Sequence, residues 1–321
     1  MSSAEPGKFP AGASILDGFG RESVRAIIQV MLNAISVDVE EYFHATNLDP
    51  YVGRSRWNEM STRAPESINA TLEVFEKTGT LGTFFVLGDF ARRNPQQVKR
   101  LAEAGHEIAS HGFNHQLAYL LSPEDFYEDI RSAKQLLEDI CGTEVTGYRA
   151  PNFSITEKNP WAYDKLVEAG YTYDSSVYPV WHPRYTNLDK PRVITVRPTN
   201  GGELLIVPLA ASELSLLGKK LRLPVAGGAY WRLFPEFFIR WGLSRINARD
   251  HIPFCCYIHP WELDPGQPRF EEMPALTKLR HYGGIADFSS RVERYLRAFE
   301  FSTIQKLIEE WRSGQGSATE K

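Results

Sequence analysis

The chain has 321 residues, 42% hydrophobic and 24% charged, which is ordinary globular composition with enough apolar side chain for a sizeable core. A net charge of −4 leaves no basic footprint for nucleic acid. The three cysteines, Cys141, Cys255 and Cys256, show neither zinc nor disulfide spacing, which points to a reducing compartment.

The first 20 residues are rich in Pro, Gly and Ser and have no signal-peptide architecture. The apolar stretch Ala26–Val37 is broken by Gln29 and Asn33 and is too short to span a bilayer. Met31 stands directly before the first strand. Residues 1–30 are therefore read as a flexible extension, 31–312 as a single domain and 313–321 as a disordered tail. A cytoplasmic location is expected.

Asn33–Val39 reads as a buried strand running into three acids, Asp38, Glu40 and Glu41. A carboxylate in such a strand is expensive to bury unless it is paired or bound to a metal. Pro65–Thr78 has helical periodicity and stops at Gly79; Leu81–Leu87 is a strand and Pro95–Ala104 a second helix. Glu107–Ser110 is strand-like and delivers His111 and His115. One helical turn over Gly112–His115 would point both imidazoles the same way, a half-site for a metal such as zinc.

Ser122, Pro123, Glu124 and Asp125 then open a well-signalled helix that ends at Gly142. A short strand at Gly147 turns into a loop carrying Arg149 and Asn152. Trp161–Ala169 is helical, and Tyr171–Ser176 is a strand end holding Asp174. Val177–Pro198 is loop-rich, Leu204–Val207 is a strand, and Gly227–Arg232 is a glycine-hinged aromatic loop before a helix from Pro235 to about Ala248. Phe254–Ile258 is a strand ending at His259, and a last helix runs from about Phe288 to Trp311.

Strands alternate with helices, which argues a parallel sheet or an α/β barrel. Polar residues recur where strands end: Asp38, His111, Arg149, Asp174 and His259. That edge is where sites form in such folds.

The set Ser36-Val37-Asp38-Val39-Glu40, Ser110-His111-Gly112-Phe113-Asn114-His115, Arg149-Ala150-Pro151, Asp174-Ser175-Ser176 and Ile258-His259-Pro260 resembles the polysaccharide deacetylases (NodB-homology, carbohydrate esterase family 4) over roughly residues 34–302. The later pattern, Ile258-His259-Pro260-Trp261-Glu262 and Arg280-His281-Tyr282, resembles the branch found with bacterial exopolysaccharide gene clusters.

The resemblance implies a distorted (β/α) barrel with about seven strands. It also implies one divalent metal, zinc first with cobalt or nickel as alternatives, held by an acid and two histidines. The family usually has two consecutive aspartates in its first motif, where this chain has Asp38-Val39-Glu40. Alternation puts Asp38 and Glu40 on one side of an extended strand. The expectation is Asp38 as base and Glu40, His111 and His115 as ligands, with Glu41 the substitute ligand. Arg149 is expected to orient Asp38, the Asn152 backbone N–H to meet the oxyanion, and His259 to act as acid with its tautomer fixed by Asp174.

Trp181, Tyr230, Trp231 and Trp261 are candidate stacking platforms for sugar rings, with core packing as the competing account. Arg232 is a candidate for a phosphate or uronate group, His44 and His182 for substrate contact, and Glu262 for loop scaffolding. The implied reaction is N-deacetylation of N-acetylhexosamine units in an oligo- or polysaccharide or its precursor, with peripheral association to membrane glycan-assembly machinery. Two other readings are a metal-independent cyclic amide or ureide hydrolase of the same fold and a non-catalytic carbohydrate-binding protein.

Overall fold

The strands that organise the molecule are Asn33–Val39 (β1), Thr83–Val86 (β2), Glu107–Ser110 (β3), Gly147–Tyr148 (β4), Tyr173–Asp174 (β5), Gly202–Ile206 (β6) and Cys255–Ile258 (β7). In the computed structural model, which describes residues 31–318 apart from positions 183, 184, 187 and 217, they lie in the order β7-β1-β2-β3-β4-β5-β6. Every neighbouring pair is parallel. Beyond β6 the chain meets β7: Leu209 bridges Cys255 in parallel, and the Ala210 N–H donates to the Cys255 carbonyl at 2.8 Å. This contact turns the sheet into a distorted seven-stranded (β/α) barrel.

β1 is buried along its whole length because strands flank both edges and helices cover it. That is why it reads as a nearly continuous apolar run with acids only at its end. The principal helices are Ala64–Thr78 (α1), Gly88–Arg93 (α2), Pro95–Glu103 (α3), Pro123–Cys141 (α4), Ala162–Glu168 (α5), Ala229–Leu233 (α6), Glu236–Ala248 (α7), Ala275–Tyr282 (α8), Phe288–Ala298 (α9) and Ile304–Ala318 (α10). The signals expected for α4 are all present. Ser122 Oγ accepts from the Asp125 N–H at 3.0 Å, Pro123 occupies the first turn, and Gly142 ends the helix at φ +68°.

Four expectations change. The single helix from about Phe288 to Trp311 is two, α9 and α10, because the Glu300 carbonyl accepts from Asn33 N–H at 2.9 Å and Phe301–Ser302 pairs with the start of β1. The tail from Ser313 continues α10 as far as Ala318. The aromatic loop at Gly227–Arg232 contains the short helix α6. The region from 195 to 224 holds strand that its turn-rich composition conceals. Thr195–Thr199 pairs antiparallel with β6, and Ala211–Leu216 forms a hairpin with Lys219–Pro224. The chain divides into units at Val30 and Met31. The extension expected over residues 1–30 lies outside the described residues.

One large apolar cluster fills the barrel and its helix layer. A smaller one, including Tyr42, Phe43, Leu48, Val52, Trp57 and Trp261, sits under the loop that follows β1 and gives that loop its own core. No helix among the described residues is long and apolar enough to cross a membrane.

Candidate metal centre and active-site cleft

The C-terminal ends of β1, β3, β4 and β7 open into a cleft of about 550 Å³ lined by Asp38, Glu40, His111, His115, Asn152 and His259, among others. Glu40, His111 and His115 are all buried, and each offers one ligand atom within 4.8 Å of the others. The two imidazoles do not come from a helical turn, as the spacing suggests. They come from an irregular loop whose backbone is held at several points. Asp129 of α4 accepts from the Phe113 N–H at 2.7 Å and the Asn114 N–H at 3.2 Å, while Arg54 donates to the His115 carbonyl at 2.6 Å. Gly112 is required in that loop: its φ is +75°, and a Cβ there would lie 2.8 Å from Asp129 Oδ2.

The donor set suits a borderline-soft divalent cation. His111 Nδ1 lies 2.8 Å from the Arg149 carbonyl, which can only accept, so Nδ1 carries the proton and Nε2 keeps its lone pair. Burial lowers the His111 pKa to about 4, against the opposing charges of Asp38 and Glu40. Glu40 Oε2 is buried with no hydrogen-bond partner, although it comes within 2.9 Å of His115 Nε2. An orphaned carboxylate oxygen between two imidazoles fits a cation, since without a counter-charge such burial is costly. Burial works against the Glu40 charge, but the charge of the adjoining His115, then of His259 and His111, holds its carboxyl well below the usual range. Glu41 points elsewhere: its carboxylate accepts from Thr62 Oγ1 and the Arg63 N–H and so secures the entry to α1.

Arg149 is fully buried, and its guanidinium bonds oxygen atoms of three residues around the site. Its Nη1 reaches Asp38 Oδ1 and Ser36 Oγ, both at 2.7 Å, its Nη2 reaches Ser175 Oγ at 2.8 Å, and its Nε reaches the Ser175 carbonyl at 3.0 Å. The Phe85 ring covers the guanidinium at 4.1 Å. Asn152 follows in left-handed backbone (φ +51°), a conformation asparagine tolerates, and its Nδ2 donates to Thr46 Oγ1 at 2.7 Å.

His259 faces this cluster from β7, with Nε2 3.6 Å from Glu40 Oε1. Its expected partner, Asp174, is not beside it. Asp174 instead accepts from the hydroxyl and N–H of Ser176, whose Oγ accepts from the Ala150 N–H at 2.8 Å, so it shapes the loop that carries Arg149. Burial raises the Asp174 pKa to about 7. The residue against His259 is Glu262: Oε2 lies 3.0 Å from Nδ1 and accepts from the His259 N–H at 2.9 Å. Pro260 starts a 3₁₀ turn over Pro260–Leu263 that brings residue 262 back over 259. The spacing His259-Pro260-Trp261-Glu262 carries that signal, which a scaffolding role for Glu262 overlooks. Burial disfavours the imidazolium, but the Glu262 hydrogen bond and charge, with Glu40 and Asp38, raise the His259 pKa to about 9.

Several candidate substrate contacts are buried or already engaged. Arg232 is buried and committed, with Nε on Glu262 at 2.7 Å and the Gly283 and Arg280 carbonyls at 2.6 and 3.0 Å. Trp231 is fully buried against Tyr295, its Nε1 bonded to the Val225 carbonyl, because α6 turns it into the core. Trp261 lines the cleft but is buried. Its faces are stacked by His259 and His281, and its Nε1 donates to Glu40 Oε1 at 3.3 Å. His44 is buried behind His115, beside Asp89. Tyr230 and His182 line the cleft, and Trp181, next to His182, is 66% exposed.

Residues 57–173 match the family model described as polysaccharide deacetylase, and residues 175–309 match a domain of unknown function, DUF3473. A peptidoglycan deacetylase of Helicobacter pylori is 26% identical over 106 residues, which is 33% of this chain and 35% of that protein. A chitooligosaccharide deacetylase of Azorhizobium caulinodans is 34% identical over 88 residues, 27% of this chain and 42% of that protein. The chain thus spans well under half the length of these relatives. The crystal structure of a putative polysaccharide deacetylase from Mycobacterium smegmatis superposes with a TM-score of 0.59 at 18% identity, over 89% of this chain and 96% of that one, and shares the fold. Residues 57–173 belong to the polysaccharide deacetylase family (NodB homology, carbohydrate esterase family 4), and the same barrel continues into the region of unassigned function.

Proposed function

We propose that the chain is a metal-dependent N-deacetylase acting on N-acetylhexosamine units of a bacterial polysaccharide or its precursor. The observation that carries this reading is the convergence of Glu40, His111 and His115 beside the Asp38–Arg149 pair in one cleft. A divalent cation held by those three residues, zinc or alternatively cobalt or nickel, supplies a water pKa lowered from about 15.7 toward 7 and a polarised acetyl carbonyl.

The chain's own residues do the rest. Asp38 takes the proton of the attacking water, and Arg149 pairs with Asp38 at 2.7 Å and aims it. The Asn152 N–H meets the oxyanion, a contact typically worth about 3–4 kcal/mol. His259 gives the amine its proton from Nε2, with Nδ1 anchored on Glu262; general-acid help of this kind is worth roughly 10²–10⁴-fold. Carbon–nitrogen cleavage then leaves acetate and a protonated amine. Trp181 and Tyr230 hold sugar rings at the cleft mouth. The three free thiols favour a reducing, cytoplasmic site of action.

The test is acetate release from N-acetylglucosamine oligomers and lipid-linked precursors by protein carrying one equivalent of zinc or cobalt. Release that chelation abolishes is the expected result. Absence of acetate from every substrate overturns the reading, and full activity without metal favours the cyclic amide hydrolase.

A further inference from the structure

The far wall of the cleft is made by α8, which contributes Leu276, Thr277, Leu279 and Arg280. This helix is tied to the reacting end of the site. Arg232, bonded to Glu262 and through it to His259, also takes the Arg280 and Gly283 carbonyls at the end of α8.

The wall has two unusual properties. Leu276 is 77% exposed, Leu279 58% and the adjoining Leu233 40%, an apolar strip that runs from inside the cleft to its outer rim. Sugar hydroxyls do not need such a strip; an apolar chain does, because covering it removes three leucines from water. At the same rim Arg280 is exposed, has no carboxylate within ion-pair distance among the described residues, and approaches His182, 3.5 Å from Nη2 to Nε2. An uncommitted guanidinium at the end of a binding cleft matches a phosphate group in charge and geometry.

We propose that this rim receives the carrier of an amphiphilic substrate: an N-acetylated sugar joined through phosphate to an apolar chain. The sugar sits over the metal centre, the phosphate meets Arg280, and the chain lies on Leu233, Leu276 and Leu279. The inference rests on the deacetylase reading for the sugar but not for the rim, and a probe without sugar separates the two.

The probe is farnesyl phosphate, titrated calorimetrically into the full chain. Saturable binding is expected. It should weaken by at least about tenfold, roughly 1.4 kcal/mol, in Leu276→Ser/Leu279→Ser and separately in Arg280→Ala. Farnesol should bind more weakly than its phosphate to the parent and equally to Arg280→Ala. No binding to the parent, or equal binding by all variants, overturns the inference even if N-acetylglucosamine oligomers are deacetylated. Binding with the expected losses but no acetate from any substrate supports the rim and removes the deacetylase reading. Tight association with phosphatidylglycerol vesicles, without affinity for monomeric farnesyl phosphate, would assign the face to a membrane surface and also overturn it.

Discussion

The cleft holds histidines on two sides, and they are tuned in opposite directions. On the β3 side, His111 is buried with its Nδ1 on a backbone carbonyl, and burial takes its pKa down to about 4. On the β7 side, His259 meets the Glu262 carboxylate, itself held by Arg232, and its pKa rises to about 9. A neutral imidazole offers a lone pair, and a protonated one offers a proton. The fold makes both from one residue type by choosing a carbonyl or a carboxylate as the partner. In the proposed mechanism, ligand and acid are thus set apart by what lies behind each ring.

The first way to break this comparison is at the base between the two sides. Asp38→Asn should lower acetate release by about 10²–10⁴-fold with the metal retained, read as turnover alongside metal content. Turnover within a few-fold of the parent would remove Asp38 from its role.

Next comes the partner of His259. Glu262→Gln should lower turnover by roughly 10–100-fold, the range seen when an orienting partner is lost, and it should also change the pH profile. The acid works when protonated, so activity falls as pH rises through about 9. Without the carboxylate that raises this pKa, the alkaline limb should move to lower pH. Asp174→Asn should leave the limb where it is, because Asp174 touches Ser176 and not His259. A shift in the Asp174 variant and none in the Glu262 variant would reverse the assignment. The smallest effect is expected at the exposed Trp181, where Trp181→Ala should raise KM by about two- to tenfold, the scale of one aromatic contact, with kcat unchanged.

The two sides also differ in how far the sequence discloses them. β1, β3 and the metal-side residues are legible because parallel strands are apolar runs that end abruptly in polar residues, and Asp38, Glu40 and His111 stand at those ends. Arg149 as the partner of Asp38 follows from the same edge. The acid side is not legible in this way. Which carboxylate reaches His259 depends on a 3₁₀ turn after Pro260 and on Arg232, 30 residues upstream on α6. Asp174 has the right chemistry at a strand end, yet its carboxylate is taken up by the N–H and hydroxyl of Ser176 two residues on, a local turn the strand pattern does not reveal. Trp231 and Arg232 look like loop residues beside glycines, and only the helical turn of α6 shows both to be buried. The family match has the same asymmetry. It covers His111, His115 and Arg149 on the metal side, though Asp38 and Glu40 precede it, whereas His259 and Glu262 lie in the stretch matching the domain of unknown function.

The displaced acid is the central claim, and metal analysis of two neighbouring variants tests it most directly. Glu41→Ala, which alters the support of the α1 entry and the cap of the turn over Tyr42–His44, should bind one equivalent of zinc like the parent protein. Glu40→Ala should bind less than a tenth of that while its circular dichroism stays native. Full zinc in the Glu40 variant, or its loss from the Glu41 variant alone, would contradict the assignment.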